Sequence, residues 1–269
     1  MKISIIVSKR DLAGTNIAEI LIDKHMFRET NEFFDGYRIY GKNEFELVFG
    51  EKDVLYLDYV SREADVYVFA SRHKSESGYP CLTVHPTGNF TDDVSHGGRP
   101  RELCLTNSLL MKAALIQLKR LVNERNLNYM VSYEVTHHGP TNLDRPLFFV
   151  EVGSTKENWM DLNACECVAD AIMHLTKPFN VKSESCIGFG GPHYAPTFTK
   201  NVLSTEIAVG HICPKYSADN LNHEMIHQMM EKTIPKPTKA LIDWKGLKGS
   251  QRRFIIEALN ELNLEVTKL

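Results

Sequence analysis

The stretch "KISIIVSKRDLAGTNIAEILIDKH" (residues 2–25) places a strand-like run, Ile3 to Val7, directly ahead of a helix-like one. In the latter, Ile17, Ile20 and Leu21 share one helical face, and Thr15 or Asn16 reads as its cap. A strand feeding a helix from the start of the chain is the signature of an α/β layer structure. Working outward, "YRIYGKNEFELVFG" (37–50) and "DVLYLDYV" (53–60) read as a short antiparallel meander. "ADVYVFASRH" (64–73) and "CLTVHPTGN" (81–89) read as strands running into polar loops. "NSLLMKAALIQLKRLVNERN" (107–126) is a long helix, with Leu110, Ala114, Leu118 and Leu121 on one face and Lys112 and Lys119 on the opposite, exposed side.

The second half continues the alternation. Strands are expected at 129–135, 147–154, 185–191, 206–212, 239–244 and 264–269, and helices at 157–175, 220–233 and 250–263. Continuous apolar strands flanked by helices imply a sheet covered on both faces. The expectation is therefore a three-layer α/β/α core around a mixed sheet. "TIPKPTK" (233–239) is too short for a domain boundary, so residues 1–269 read as one domain.

Composition sets the class. With 269 residues and 43% hydrophobic content the chain can bury a substantial core. The apolar run Ile3–Val7 is too short for a signal-peptide core, and no run approaches the roughly 18 residues a spanning helix needs. The six cysteines are scattered, a pattern of reduced thiols rather than a disulfide framework. These features read as a soluble cytoplasmic protein. The net charge of −3 argues against a generic nucleic-acid binder, but the charge is polarised. Between Lys232 and Arg253 seven basic residues face the single acid Asp243, whereas Arg28 to Asp65 holds ten acids against five basic residues.

Six of the eleven histidines follow or end strand-like runs: His73, His85, His137, His138, His193 and His211. In an open α/β sheet the loops at the carboxyl ends of the strands form the binding crevice. Polar residues placed repeatedly at that edge tend to converge. Imidazoles with a carboxylate, here Glu134 or Glu151, suit a metal such as zinc. Adjacent His137 and His138 cannot point the same way while the chain stays extended, which divides them into one ligand and one residue facing the substrate.

Two other signals compete. "HEMIH" (223–227) matches the HExxH pattern of zinc peptidases and puts His223 and His227 on one helical face with Glu224 between them. No Gly and third His follow, and a later glutamate ligand would have to be Glu257 or Glu261. The helix is expected instead to pack Met225, Ile226 and Met229 inward. Ser71, Ser75, Cys81, Ser154 and Cys213 lie near strand ends, but none sits in a nucleophile elbow. An anion site is offered by "IDWKGLKGSQRRF" (242–254), where Ser250 caps a helix whose first turn carries Arg252 and Arg253.

"FASRHKS" (69–75), "TVHPTGN" (83–89), "THHGP" (136–140), "EVGST" (151–155), "GGPHYAP" (190–196), "GHICPKY" (210–216) and "DWKG" (243–246) carry a resemblance. In this order the chain resembles the archaeal and plant type of D-aminoacyl-tRNA deacylase. Lys74 and Pro192 depart from the usual motifs, without removing a histidine. The resemblance implies an α/β core related to peptidyl-tRNA hydrolases and nucleoside phosphorylases. It also implies a zinc-dependent cytoplasmic esterase that cleaves D-amino acids from the terminal ribose of tRNA in translation quality control.

Ester hydrolysis then assigns His73, His85, His137 and His193 to metal, one ion or two, with His138 or Glu134 handling the proton. Lys245, Lys248, Arg252 and Arg253 would hold tRNA phosphates. The expected partner is D-aminoacyl-tRNA, with neither DNA nor membrane, and the enzyme is expected to be a monomer. The alternatives are a zinc-dependent peptidase using His223, Glu224 and His227, and a non-catalytic tRNA- or metal-binding protein.

Overall fold

In the computed structural model, which describes residues 1–176 and 183–269, the opening stretch forms β1 (Ile3–Ser8) and α1 (Leu12–Asp23) as the sequence predicts. There follow β2 (Arg28–Phe34), β3 (Tyr37–Lys42), β4 (Phe45–Gly50), β5 (Val66–Lys74), β6 (Cys81–His85), β7 (Thr106–Asn107) and α2 (Ser108–Glu124). The middle of the chain supplies β8 (Met130–Tyr133), β9 (Leu147–Ser154), α3 (Lys156–Trp159) and α4 (Leu162–Met173). Then come β10 (Glu184–Phe189), α5 (Pro196–Ser204), β11 (Ile207–Cys213), α6 (His223–Glu231), β12 (Thr233–Ile234), β13 (Lys239–Ile242), α7 (Gly249–Glu261) and β14 (Glu265–Lys268).

The strands divide mainly between two sheets. The first is mixed, in the order β2-β3-β4-β1-β5-β9-β6-β8, and the second is parallel, in the order β11-β10-β13-β14. Helices α1, α2 and α4 pack on one face of the mixed sheet and join a core with Ile3, Ile5, Val68, Val84 and Val150. The second sheet is buried on both sides, with Met225, Ile226 and Met229 of α6 and Ile255 and Leu259 of α7 on one of them. Burial on both faces is the usual condition of a parallel sheet.

Several local expectations are corrected. Residues 53–60 are not a strand: Val54–Tyr56 is a 3-10 turn, and Val54, Leu57 and Val60, three apart, are the buried positions that cover the sheet. α1 is capped by Asp11, whose carboxylate accepts from the Gly14 N–H, so the helix starts before Thr15. α7 is capped by Lys248, with Gly249 and Ser250 already helical. The expected helix over 157–175 is two helices, because Asp161 caps a fresh start. Lys112 is buried, not exposed, since α2 packs against several elements at once and the ammonium reaches the Thr205 carbonyl at 2.6 Å.

The seam between the sheets is the segment 134–138. The N–H of Glu134 donates to Val84 of β6, that of Val135 to the His193 carbonyl, and that of Thr136 to Ile212 of β11. The same five residues thus bind both sheets, and two of the expected histidines close the segment.

Candidate metal and ester-hydrolysis centre

The convergence of the histidines has a different origin from the one the strand ends suggest. β6 runs antiparallel to β9 while β5 runs parallel to it, so His73 and His85 lie at opposite ends of their neighbours. Side-chain alternation unites them. Ser71, Glu151 and Thr83 stand side by side across β5, β9 and β6, and His73 and His85 lie two residues further along their own strands. All five face the same side of the sheet, and the site is built on a sheet face as well as at its edge. Glu151 accepts from Ser71 Oγ at 2.8 Å and lies 3.4 Å from Thr83 Oγ1.

The second sheet contributes by the carboxyl-edge rule. β10 ends in the turn Gly190-Gly191, which leads to His193, and β11 leads to Tyr216. A cavity of about 490 Å³ between the two sheets is lined by His73, His137, His138, Glu151, His193 and Tyr216, among others.

His138 adopts φ of +45°, so the chain is not extended at this pair, and both adjacent rings can enter the cluster. Their centroids are 4.3 Å apart, and the His85 ring lies 4.4 Å from His137 and 4.9 Å from His138. Candidate donor atoms fall into three close groups, each within 4.8 Å: His85, His137 and His138; His73, Glu134 and His193; and His85, Glu134 and Glu151. Five of the six strand-end histidines therefore meet. His211 does not: it is fully buried beneath the site, between Thr136 Oγ1 at 3.1 Å and the Cys104 carbonyl at 3.0 Å. Burial brings its imidazole down to about 3, so it is a neutral core residue.

Hydrogen bonds fix which ring nitrogens face inward. A carbonyl oxygen can only accept, so His85, His137 and His138 must carry their protons on Nδ1, bonded to the carbonyls of Pro86 (3.1 Å), Val135 (2.8 Å) and Gly139 (2.7 Å). Their Nε2 atoms are left to face the cluster. His73 is turned the other way, with Nε2 3.0 Å from the Tyr194 hydroxyl and Nδ1 3.0 Å from Glu134 Oε1 and 3.4 Å from Glu151 Oε2. His193 Nε2 and His137 Nε2 lie 2.9 Å and 3.4 Å from Glu134 Oε2.

These ring contacts are close without being aligned as hydrogen bonds. Both oxygens of the fully buried Glu134, and Nε2 of the fully buried His85, have no hydrogen-bond partner. A buried, unsatisfied carboxylate is costly, and several such atoms aimed at one region mark a place for a ligand or an ion.

The charges fit that reading. Burial opposes protonation of His73, but the adjacent carboxylates of Glu151 and Glu134 outweigh it and push the ring up to about 10. Burial likewise opposes a raised His85, and Glu151 again prevails. Burial alone would raise Glu134 and Glu151, yet His193 and His73 for the first, and His85 and His73 for the second, hold them below the usual carboxylate range. His137 falls well below its ordinary value through burial and the neighbouring His138, and His138 falls to about 4 through burial and His85. The two carboxylates thus favour proton binding at His73 and His85, whereas burial and the neighbouring rings oppose it at His137 and His138.

The competing "HEMIH" lies elsewhere. Met225, Ile226 and Met229 point into the core as expected, leaving His223, Glu224 and His227 on the outer face of α6. His223 Nδ1 pairs with Glu261 Oε2 at 3.1 Å, and His227 Nε2 lies 3.9 Å from Glu231. Among the described residues these donors form no group close enough to hold a metal.

The basic residues after β13 are unequal. Arg252 donates to the Trp244 and Leu247 carbonyls, and Lys248 pairs with Asp219 at 2.9 Å. Lys245 and Arg253 are exposed, with no partner among the described residues.

Some contributors escape a reading confined to strand ends. Ser71 and Thr83 hold Glu151, and Tyr194 holds His73. The signal for the first two was the two-residue spacing Ser71–His73 and Thr83–His85. Tyr194 lies in the motif "GGPHYAP", but the sequence pattern gives it no role of its own.

Residues 60–267 match the model of a family described as D-aminoacyl-tRNA deacylase. A D-aminoacyl-tRNA deacylase of Thermococcus kodakarensis is 37% identical over 270 residues, covering 97% of each chain. One from Methanosarcina barkeri is 38% identical over 278 residues, covering 99% of this chain and 89% of its own. A solved structure described as a conserved protein of unknown function superposes with a TM-score of 0.92 at 28% identity, over 99% of this chain and 95% of that one.

Proposed function

The chain belongs to the D-aminoacyl-tRNA deacylase family, and from that premise we infer that it hydrolyses the ester between a D-amino acid and the terminal ribose of tRNA. Water adds to the ester carbonyl, the bond from carbonyl carbon to ribose oxygen breaks, and free D-amino acid and tRNA leave. The observation that carries the site assignment is the set of buried polar atoms without a hydrogen-bond partner, Glu134 Oε1 and Oε2 and His85 Nε2, in one histidine cluster.

We propose that this cluster holds zinc, with His73, His85, His137 and His193 as ligands. The donor set fits: His85 and His137, with Nδ1 tied to carbonyls, turn Nε2 to the cluster, and a dication would offset the two buried carboxylates, Glu134 and Glu151. When bound, such an ion acts as a Lewis acid that makes water acidic near pH 7 and polarises a carbonyl oxygen. Glu134 or His138 takes the proton of the attacking water, each presenting an acceptor atom free of hydrogen bonds within the chain. Two ions would fill both histidine groups, His85 with His137 and His138, and His73 with His193 and Glu134, making His138 and Glu134 ligands. The carbonyls of Pro86, Val135 and Gly139 hold the rings in register throughout.

The test compares release of D- and L-tyrosine from matched charged tRNAs, with and without a chelator, alongside the metal content of the purified protein. Release of D-tyrosine alone, lost on chelation, is expected. Equal release of both enantiomers would sink the activity, and full activity in a metal-free protein would sink the zinc.

For the acceptor stem we propose Lys245 and Arg253 as phosphate contacts, with Lys248 and Arg252 shaping the turn that presents them. Lys245→Ala/Arg253→Ala is expected to raise KM for charged tRNA severalfold and flatten its salt dependence, since each lost phosphate contact removes a slope of about 0.7 to 0.9. An unchanged KM and salt slope would refute the patch. Free buried cysteines and a tRNA substrate support a cytoplasmic location. No helix among the described residues is long and apolar enough to cross a membrane. The same reading has the enzyme act as a monomer, with neither DNA nor membrane as a partner.

A further inference from the structure

The cavity mouth carries one feature that the hydrolytic chemistry does not use. Tyr216 lines the cavity and is 56% exposed, whereas Phe90, the other non-histidine aromatic ring in its lining, is buried. Neither the hydroxyl nor the ring of Tyr216 makes a hydrogen bond or aromatic contact among the described residues. The loop that presents it is nevertheless held firmly. The Lys215 N–H donates to the Gly191 carbonyl at 3.1 Å, in the turn that leads to His193, and the Ser217 N–H closes a turn on Pro214 at 3.1 Å. A half-exposed aromatic ring is thus fixed at the rim of the site, with no hydrogen bond or ring contact among the described residues.

Free positive charge flanks that face. Lys215 precedes Tyr216 and is exposed, and the exposed Lys74, directly after His73, lines the same cavity as Tyr216. Neither side chain has a partner among the described residues. Arg72, the remaining cation of the lining, is bound to Asp53 at 2.6 Å and lies 3.6 Å from Asp11. An exposed aromatic platform with uncommitted lysines beside it is how proteins hold single-stranded nucleic acid: the ring takes a base and the ammonium groups take the backbone.

We propose that Tyr216 stacks on the base of the nucleotide whose ribose bears the ester, and that Lys74 and Lys215 hold phosphates of the single-stranded end leading to it. This rests on the deacylase reading and adds the residues that recognise the nucleotide. Stacking places the ribose ester at the histidines without any contact to the amino acid. The enzyme can therefore accept many acceptor ends that share a terminal nucleotide.

The experiment uses two substrates, D-tyrosyl-tRNA and D-tyrosyl-adenosine, the second having the base but no phosphate. Tyr216→Ala should raise KM for both by about tenfold, the loss expected from a base–aromatic stack worth about 1 to 3 kcal/mol, with kcat little changed. Tyr216→Phe should restore both values. Lys74→Gln and Lys215→Gln should raise KM for the tRNA and not for the adenosine ester, and should flatten the salt dependence. A Tyr216→Phe protein as impaired as Tyr216→Ala would overturn the stacking role, as would a Tyr216→Ala protein with unaltered KM. Lysine variants that weaken both substrates alike would overturn the phosphate role. A wild-type protein that released no D-tyrosine from tRNA would instead sink the parent reading.

Discussion

Two regions of this molecule carry two or more histidines with nearby glutamates, and they differ in everything except composition. In the seam between the sheets, His73, His85, His137, His138 and His193 surround Glu134 and Glu151, with donor atoms in groups within 4.8 Å. On α6, His223 and His227 have the spacing of a known metal motif, but their side chains are 60% and 57% exposed and pair with Glu261 and Glu231. Three of the seam histidines, His85, His137 and His138, have Nδ1 anchored to backbone carbonyls, and the carboxylate of Glu134 has no hydrogen-bond partner. The α6 histidines have partners, solvent and no anchoring carbonyl. What separates a site from a motif is therefore orientation and unmet valence, not spacing in the chain.

The most severe way to break this comparison is to remove the unmet valence. Glu134→Gln keeps the shape and loses the charge, whether Glu134 holds a proton or an ion. We expect kcat/KM for D-tyrosyl-tRNA to fall by about a hundred- to ten-thousandfold, the range for a lost acid–base group. Zinc retained with lost turnover would place Glu134 on the proton, and zinc lost with turnover would place it on the ion. Full activity would mean that the unpartnered carboxylate is only a buried liability. His137→Ala and His193→Ala each test the ligand set, and unchanged zinc in both would refute it.

A smaller effect sharpens the role of anchoring. Tyr194 touches His73 through Nε2 at 3.0 Å and lines up the ring whose Nδ1 faces both glutamates. Tyr194→Phe keeps the ring and removes the hydroxyl, so zinc affinity is expected to drop about 10- to 100-fold, the usual scale for a group that orients a ligand. Supplying excess zinc should recover most of the turnover. A turnover loss that excess zinc does not repair would assign the hydroxyl to the substrate instead.

The contrast also explains what could be read in advance. β1, β5, β9, α1, α2 and α7 follow from apolar periodicity, because each buries a continuous face. β2 escapes that reading, since six of its seven residues, Arg28 to Phe33, are not buried and leave no pattern. α5 escapes because its buried positions, Phe198, Thr199 and Val202, are few and lie among polar residues. The division into two sheets depends on how residues 134–138 pair with both, which is a tertiary fact. In the site, the histidines were legible as strand-end residues. Their convergence came from a strand reversal between β6 and β9 and from the positive φ of His138, neither of which leaves a mark in composition.

The smallest expected effect is the one that most directly separates motif from site. His223→Ala/His227→Ala removes both imidazoles of "HEMIH" from the surface of α6. Exposed ion pairs such as His223 with Glu261 contribute about 0 to 1 kcal/mol, so the melting temperature should shift by no more than a few degrees. The substituted positions lie on the outer face, away from Met225, Ile226 and Met229, so α6 keeps its packing. Deacylation of D-tyrosyl-tRNA and zinc content should both match the wild type. A loss of one zinc per chain would show that exposed rings at this spacing can close around an ion by rotating, and orientation in the resting fold would then be too strict a criterion. A loss of turnover would go further and place chemistry on α6, where no anchored ring and no buried acceptor prepares it.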